Sequence, residues 1–259
     1  MLVLCYHAVS SSWPADLSVT PERLEQQLGF LRSRGYEGAT FSRAVESPPA
    51  DRTVAVTFDD SYASVLRLAR PILARLGMPG TVFVPTDFAG SGEPMAWPGI
   101  EHWLATPDRE ELVPMSWDEL ASLRDLGWEI GAHSRSHPRL TQISDSALDD
   151  ELAGARVALE DHLGQPCRSI AYPYGDVDER VVRAAASAGY ATGAGLPSRF
   201  HAPRPLLWPR VGVWHGDDLA HFRRQTSRPV RRLQHSPAWP GIERGVKLAR
   251  KVEARFRRA

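Results

Sequence analysis

Thr53-Val54-Ala55-Val56-Thr57-Phe58-Asp59-Asp60 reads as an apolar, β-branched strand that ends in two adjacent carboxylates. Runs of the same kind recur at 2–6, 80–84, 128–132, 168–172, 190–194 and 207–213. Helical patterns lie between them, near 21–34, 62–76, 117–126, 145–163 and 178–188. Strand–helix alternation without an internal repeat or a long linker predicts parallel βαβ units. Catalytic groups in such a fold gather on the loops at the C-terminal ends of the strands, where Asp59 and Asp60 stand.

The helix limits carry their own signals. Thr20-Pro21-Glu22-Arg23 places proline at a first helical position, and Ser116-Trp117-Asp118-Glu119 is a capping box. Gly35, Gly77, Gly127, Gly164 and Gly189 each follow a helical stretch, as C-terminal caps do. One segment breaks the rhythm: 85–115 is rich in Pro, Gly and Trp. It is read either as a wall facing substrate or as a surface excursion packed by its own tryptophans.

The chain has 259 residues, 42% of them hydrophobic and 24% charged, which suits a globular protein and argues against disorder. A single α/β barrel would fill that length. The formal net charge is zero, but two unlike parts make it up. Residues 1–222 hold 19 Lys/Arg against 29 Asp/Glu, a net of −10; residues 223–259 hold 12 against 2, a net of +10. An acidic body therefore carries a basic tail. Met1-Leu2-Val3-Leu4-Cys5-Tyr6-His7 lacks the features of a secretory signal, and no apolar run reaches the length of a membrane span. With only Cys5 and Cys167 there is no disulfide framework, so two buried thiols and a cytoplasmic protein are expected.

Three short motifs carry the chemistry. Asp59-Asp60 can divide labour between metal binding and proton transfer, although alone such a pair is an ordinary turn or cap. His133-Ser134-Arg135-Ser136-His137-Pro138 offers two imidazoles on a strand end and its loop, and with a carboxylate these make three ligands and leave a place for water. Ala171-Tyr172-Pro173-Tyr174-Gly175 ends another strand. A rigid turn there can aim a backbone N–H at developing negative charge, or be a turn and nothing more.

Thr57-Phe58-Asp59-Asp60, His133-Ser134-x-x-His137-Pro138 and Pro173-Tyr174-Gly175, in this order, resemble the first three motifs of the polysaccharide deacetylases (the NodB-homology fold, carbohydrate esterase family four). The resemblance covers roughly residues 1–215. It implies a distorted, TIM-like (β/α)7 barrel and metal-dependent removal of N-acetyl groups from sugars. By the same resemblance Asp60, His133 and His137 hold the divalent metal, most often Zn²⁺, and Asp59 is the general base. Pro173 and Tyr174 border the substrate, and the Tyr174 N–H stabilises the oxyanion. The chemistry is coherent by itself: a metal can lower the pKa of its water from about 15.7 to about 7, and an amide nitrogen leaves only when protonated.

Two departures bear on the acid. Ala171 stands where the family's third motif usually begins with arginine, and the late Leu-x-His motif is absent. His7, after Leu4-Cys5-Tyr6, resembles the Tyr-His of the branch related to poly-N-acetylglucosamine deacetylases, in which an early histidine replaces the late one. Arg210, in Trp208-Pro209-Arg210-Val211, matches that branch's base-orienting arginine. The alternatives are a core histidine at position 7 and a simple ion pair at 210; His215 is a weaker candidate acid.

The expected organisation is a catalytic barrel over 1–222 and a basic tail over 223–259. In the tail Ile242, Val246, Ala249, Val252 and Phe256 mark one face of a helix. Through residues 240–259 it can lie on an anionic membrane surface or pack back on the barrel. Nucleic acid is not expected as a partner, because no binding motif accompanies the charge. The substrate class implied is an amino-sugar saccharide, glycolipid or glycosylated small molecule. The alternatives are a C–N hydrolase of a non-carbohydrate amide and a catalytically silent saccharide-binding barrel.

Overall fold

The computed structural model describes residues 1–196 and 203–230. The tail helix expected around 242–256, and the membrane contact expected of 240–259, lie outside those residues. In chain order the described elements are β1 (Leu2–Tyr6), β2 (Ala8–Val9), β3 (Ser18–Val19), α1 (Pro21–Ser33), β4 (Glu37–Ala39), α2 (Phe41–Glu46), β5 (Thr53–Phe58), α3 (Arg70–Arg75), β6 (Gly80–Val84), α4 (Trp117–Asp125), β7 (Glu129–Ala132), α5 (Asp145–Leu163), β8 (Ser169–Ala171), α6 (Glu179–Ser187), β9 (Thr192–Gly195), β10 (Trp208–Pro209), β11 (Val211–Gly212) and α7 (Leu219–Gln225).

The main sheet is parallel, in the order β10-β9-β8-β7-β6-β5-β1-β11, with β4 also paired to β5. The two ends of that order are neighbours in sequence, separated by Arg210 alone. β10 pairs with β9, and β11 pairs with β1. The single strand expected over 207–213 is thus broken at Arg210, and its two halves bring the sheet around into a nearly closed barrel. A proline at 209, which has no N–H to give, fits a strand that changes partners there.

Neighbouring strands are registered so that their C-terminal ends meet at one level. Tyr6 lies opposite Phe58, Val84 opposite Ala132, and Ala171 opposite Ala194. The next residues along, His7, Asp59 and His133, are therefore delivered to the same rim. Side chains alternate across each strand. Leu2, Leu4, Val54, Val56, Val82 and Ile130 pack outward into the large apolar layer beneath the helices. Val3, Ala55, Phe83, Ala171 and Ala194 form a second, smaller cluster within the barrel. Gly131 is required beside it, because a Cβ there would lie 2.7 Å from the Phe83 ring and 2.5 Å from Ser169 Oγ.

The helix signals act as expected. Thr20 Oγ1 accepts from the Arg23 N–H, and Ser116 and Glu119 form the reciprocal capping box. A π-helical turn at Val65–Ala69 leads into α3. β4 and α2 were not among the expected elements; Glu37-Gly38-Ala39 has no β-branched or aromatic residue to announce a strand. Cys5 and Cys167 are both buried free thiols. Among the described residues no helix is long and apolar enough to cross a membrane.

Candidate active site

The three motif loops and the end of β1 converge on a cavity of about 500 Å³ at the C-terminal rim of the barrel. His7, Asp59, Asp60, His133, His137 and Tyr174 all line it. Asp60 Oδ1 lies 3.4 Å from His133 Nε2 and 3.3 Å from His137 Nε2, and all three side chains are buried. His133 is fixed from behind, since its Nδ1–H donates to the Ala171 carbonyl at 2.8 Å, which turns Nε2 towards Asp60. His137 stacks on Trp97 at 4.1 Å between ring centroids and meets the Tyr174 ring edge at 4.6 Å.

These donors suit a divalent cation of zinc type. One carboxylate oxygen and two imidazole nitrogens lie within 4.8 Å of one another, and the buried Asp60 Oδ1 has no hydrogen-bond donor. An unpaired, buried carboxylate oxygen is costly unless something positive shares its site.

Asp59 stands beside this group with a different set of partners. Arg210 donates from Nη1 to Oδ1 at 2.6 Å and from Nη2 to Oδ2 at 2.8 Å, and Nη1 also reaches Thr57 Oγ1 at 3.1 Å. The Cys5 thiol donates to Asp59 Oδ2 at 3.4 Å. Asp59 Oδ2 is 4.0 Å from His133 Nε2, so the paired carboxylate looks onto the histidine cluster. Neighbouring aspartates in the chain thus face different neighbours: Asp59 is tied to a guanidinium, and Asp60 is turned to two imidazoles.

Burial and charge set the protonation states. Burial alone would raise both carboxyls. For Asp59 the Arg210 guanidinium, with His133, holds the group below the ordinary aspartate range, and for Asp60 the adjoining imidazoles of His133 and His137 do so. Burial lowers His133 too, but Asp59 and Asp60 outweigh it and raise its pKa. Burial wins at His7 and His137, which are lowered despite the same carboxylates. Cys5 is pushed well above its ordinary value by burial and stays a thiol.

Backbone conformation marks the same loops. Among the described residues, Asp60, Ser61, Ser134, His137 and Tyr174 are the non-glycine residues with positive φ, between 55° and 69°. Each such residue costs on the order of 1–3 kcal/mol and persists only where its surroundings over-determine it. Alternation along β5 would send Asp60 away from the side Asp59 occupies; the left-handed turn at Asp60 is what brings both into one cavity. Gly175 is required beside Tyr174, as a Cβ there would meet Leu196 Cβ at 2.6 Å.

Of the residues singled out in the sequence, Pro173, Arg210 and His215 do not line the cavity: Pro173 is buried at the start of the turn that presents Tyr174, and Arg210 reaches the site only through Asp59. His215 Nδ1 faces the Ser18 carbonyl at 3.2 Å. His7 does line it: 8% exposed, it stacks on Trp214 at 5.4 Å, and its Nδ1 has no partner. Trp97, Pro98 and Ile100 of the 85–115 segment wall the cavity, as a wall facing substrate would; Trp97 also packs on Phe88 of the same segment, while Trp103 packs outside it on Trp13. Cys5 and Trp214 were missed. Cys5 could have been found from the two-residue step that puts it on His7's side of β1, whereas no pattern announces Trp214.

Comparison with known proteins is consistent with this arrangement. YxkH of Bacillus subtilis (strain 168) is 26% identical over 196 residues, which cover 74% of this chain and 62% of that protein. The poly-beta-1,6-N-acetyl-D-glucosamine N-deacetylase of Staphylococcus aureus (strain MSSA476) is 23% identical over 210 residues, 76% of this chain and 68% of that one. The chain thus spans about two thirds of the length of these relatives. The structure of the Streptococcus pyogenes deacetylase PplD superposes with a TM-score of 0.71 at 22% identity, over 88% of this chain and 98% of that one. The sequence model of the polysaccharide deacetylase family matches residues 46–193, which include Asp59, Asp60, His133, His137 and Tyr174 but neither His7 nor Arg210. That match spans more than half of the chain, and the chain belongs to the polysaccharide deacetylase family.

Proposed function

We propose that this protein removes N-acetyl groups from an amino-sugar saccharide by metal-dependent hydrolysis. The observation that carries the reading is the pairing of two carboxylates with distinct surroundings: Asp60 grouped with His133 and His137, and Asp59 locked to Arg210 a few ångströms away. A divalent cation, Zn²⁺ by the donor set, held by Asp60, His133 and His137 would supply Lewis acidity to the acyl oxygen and acidify the attacking water.

The chain's own residues do the rest. Asp59 takes the proton of the attacking water; Oδ1 keeps a lone pair beyond the one used by Arg210, and Oδ2 frees one when the weakly held Cys5 thiol turns aside. Arg210 positions that carboxylate and keeps it ionised. The Tyr174 N–H, presented by its left-handed turn, donates to the oxygen on which negative charge develops. His7, which lines the same cavity, gives a proton to the departing amine. Tyr174 borders the sugar, on the turn that the buried Pro173 begins. The name of the staphylococcal relative favours N-acetylglucosamine polymers as the substrate class.

The test is acetate release from short N-acetylglucosamine oligomers, measured before and after dialysis against chelator. Release that stops on chelation and returns with Zn²⁺ is expected. Hydrolysis of simple amides in place of the sugar amide would overturn the substrate. Release that is indifferent to chelator would overturn the metal.

A further inference from the structure

A second concavity, about 540 Å³, lies between the C-terminal ends of α1 and α7. Arg34, Arg52, Arg223, Arg224 and Arg228 line it over an apolar floor that includes Phe30, and no carboxylate lines it. It is remote from the catalytic rim. Arg52 immediately precedes β5, whose other end carries Asp59, and six strand residues span about 20 Å. The reaction chemistry therefore makes no use of it.

Five guanidinium groups gathered without an anion repel one another, and the protein supplies little to offset this. Among the described residues none of the five forms an ion pair with a carboxylate, although the body of the chain is acidic overall. The Arg52 side chain donates to the Arg34 carbonyl at the end of α1, Arg224 lies 3.1 Å from His221 Nδ1, and Arg34 and Arg223 lean over the Phe30 ring. Helix dipoles favour cations at these two C-termini, but each end is worth only about half a negative charge. About one unit of negative charge thus faces five positive charges.

We infer that this cleft is an anion-binding site for a phosphate-bearing ligand. Guanidinium forks match phosphate oxygens two at a time, and several forks around one cavity suit a group with more than one negative charge better than a single carboxylate. The Phe30 floor adds an apolar surface for whatever bears the phosphate. Two sources supply that chemistry, a phospholipid headgroup and a soluble phosphate ester or pyrophosphate.

Arg34 is the residue to test, because it lies outside the basic segment 223–259 and its side chain makes no hydrogen bond that holds the fold. The full chain is titrated calorimetrically with pyrophosphate, and sedimented with phosphatidylglycerol or phosphatidylcholine vesicles, as wild type, Arg34→Ser and Arg34→Glu. Saturable pyrophosphate binding is expected, weakened at least about tenfold by Arg34→Ser and abolished by Arg34→Glu, with acetate release and melting temperature unchanged. Sedimentation with phosphatidylglycerol alone, lost in Arg34→Glu, assigns the phosphate to a lipid headgroup. Pyrophosphate binding without sedimentation assigns it to a soluble compound. Equal binding by all three proteins would place the anion on the basic residues beyond 230 and overturn the proposal, as would a wild type that binds neither probe.

Discussion

Arg210 and Asp59 form a two-pronged ion pair, 2.6 Å and 2.8 Å between donor and acceptor, with 1% and 2% of their surfaces exposed. They lie 151 residues apart in sequence, and the pair sits at the break between β10 and β11, where the chain passes from β9 to β1. One arginine thus serves the architecture and the candidate base together.

Because both partners are sealed from water, removing one leaves an uncompensated charge. Arg210→Met is expected to cost about 3–5 kcal/mol of stability. Asp59→Asn/Arg210→Met, which no longer buries a carboxylate, should be more stable than Arg210→Met alone. Denaturant unfolding of the two variants decides it, and a double variant weaker than the single one would show that packing rather than charge dominates. Arg210→Lys should not rescue turnover, since an ammonium cannot hold both carboxylate oxygens.

Asp59→Asn keeps the volume and removes the basic oxygen. Turnover should fall by about 10²–10⁴-fold while bound zinc stays stoichiometric. His133→Ala should lose zinc and turnover together. Metal analysis of the purified proteins separates the two roles, and zinc retained in His133→Ala would sink the ligand assignment.

The Asp59 carboxyl is held below its ordinary value of 3.8 in the folded protein. A group lowered in this way adds stability that is present in full above the unfolded value and is lost as pH falls through the lowered folded value. Melting temperatures measured from pH 5 down to pH 2 should fall, and the fall should be shallower in Asp59→Asn. Parallel curves for the two proteins would mean that the native and unfolded states hold this proton alike.

Burial keeps the His7 imidazole below its ordinary value. The protonated form that a general acid needs is therefore lost as pH rises through that lowered value, and kcat/KM should decline on the alkaline side of it. His7→Ala should remove this limb and lower turnover by about 10²–10⁴-fold. Unchanged turnover at neutral pH would move the acid elsewhere.

Trp97 stacks on His137 through the loop 85–115. Trp97→Ala should loosen the imidazole and raise the zinc dissociation constant by about 10–100-fold, as the loss of an outer support does for a metal ligand. Competition with a zinc-binding dye measures it, and an unchanged constant would confine Trp97 to the cavity wall.

The linear chain already determined the parallel βαβ framework, the helix caps and the three motif loops. Each is written locally: β-branched runs such as Thr53–Phe58, the Ser116–Glu119 capping box, a histidine pair four residues apart on a strand end. Tertiary structure decided what those residues face. The barrel's closure at Arg210, the thiol of Cys5 beside Asp59, the stacking of Trp97 and Trp214 on two histidines, and the exclusion of His215 all depend on strand register and loop path. So do the left-handed turns that give Asp59 and Asp60 different neighbours, and the arginines from two distant helix ends that share one cleft. Local sequence encodes backbone preference over a few residues. Contact between residues 54 to 197 positions apart is settled by how the sheet closes, and no short-range pattern carries that information.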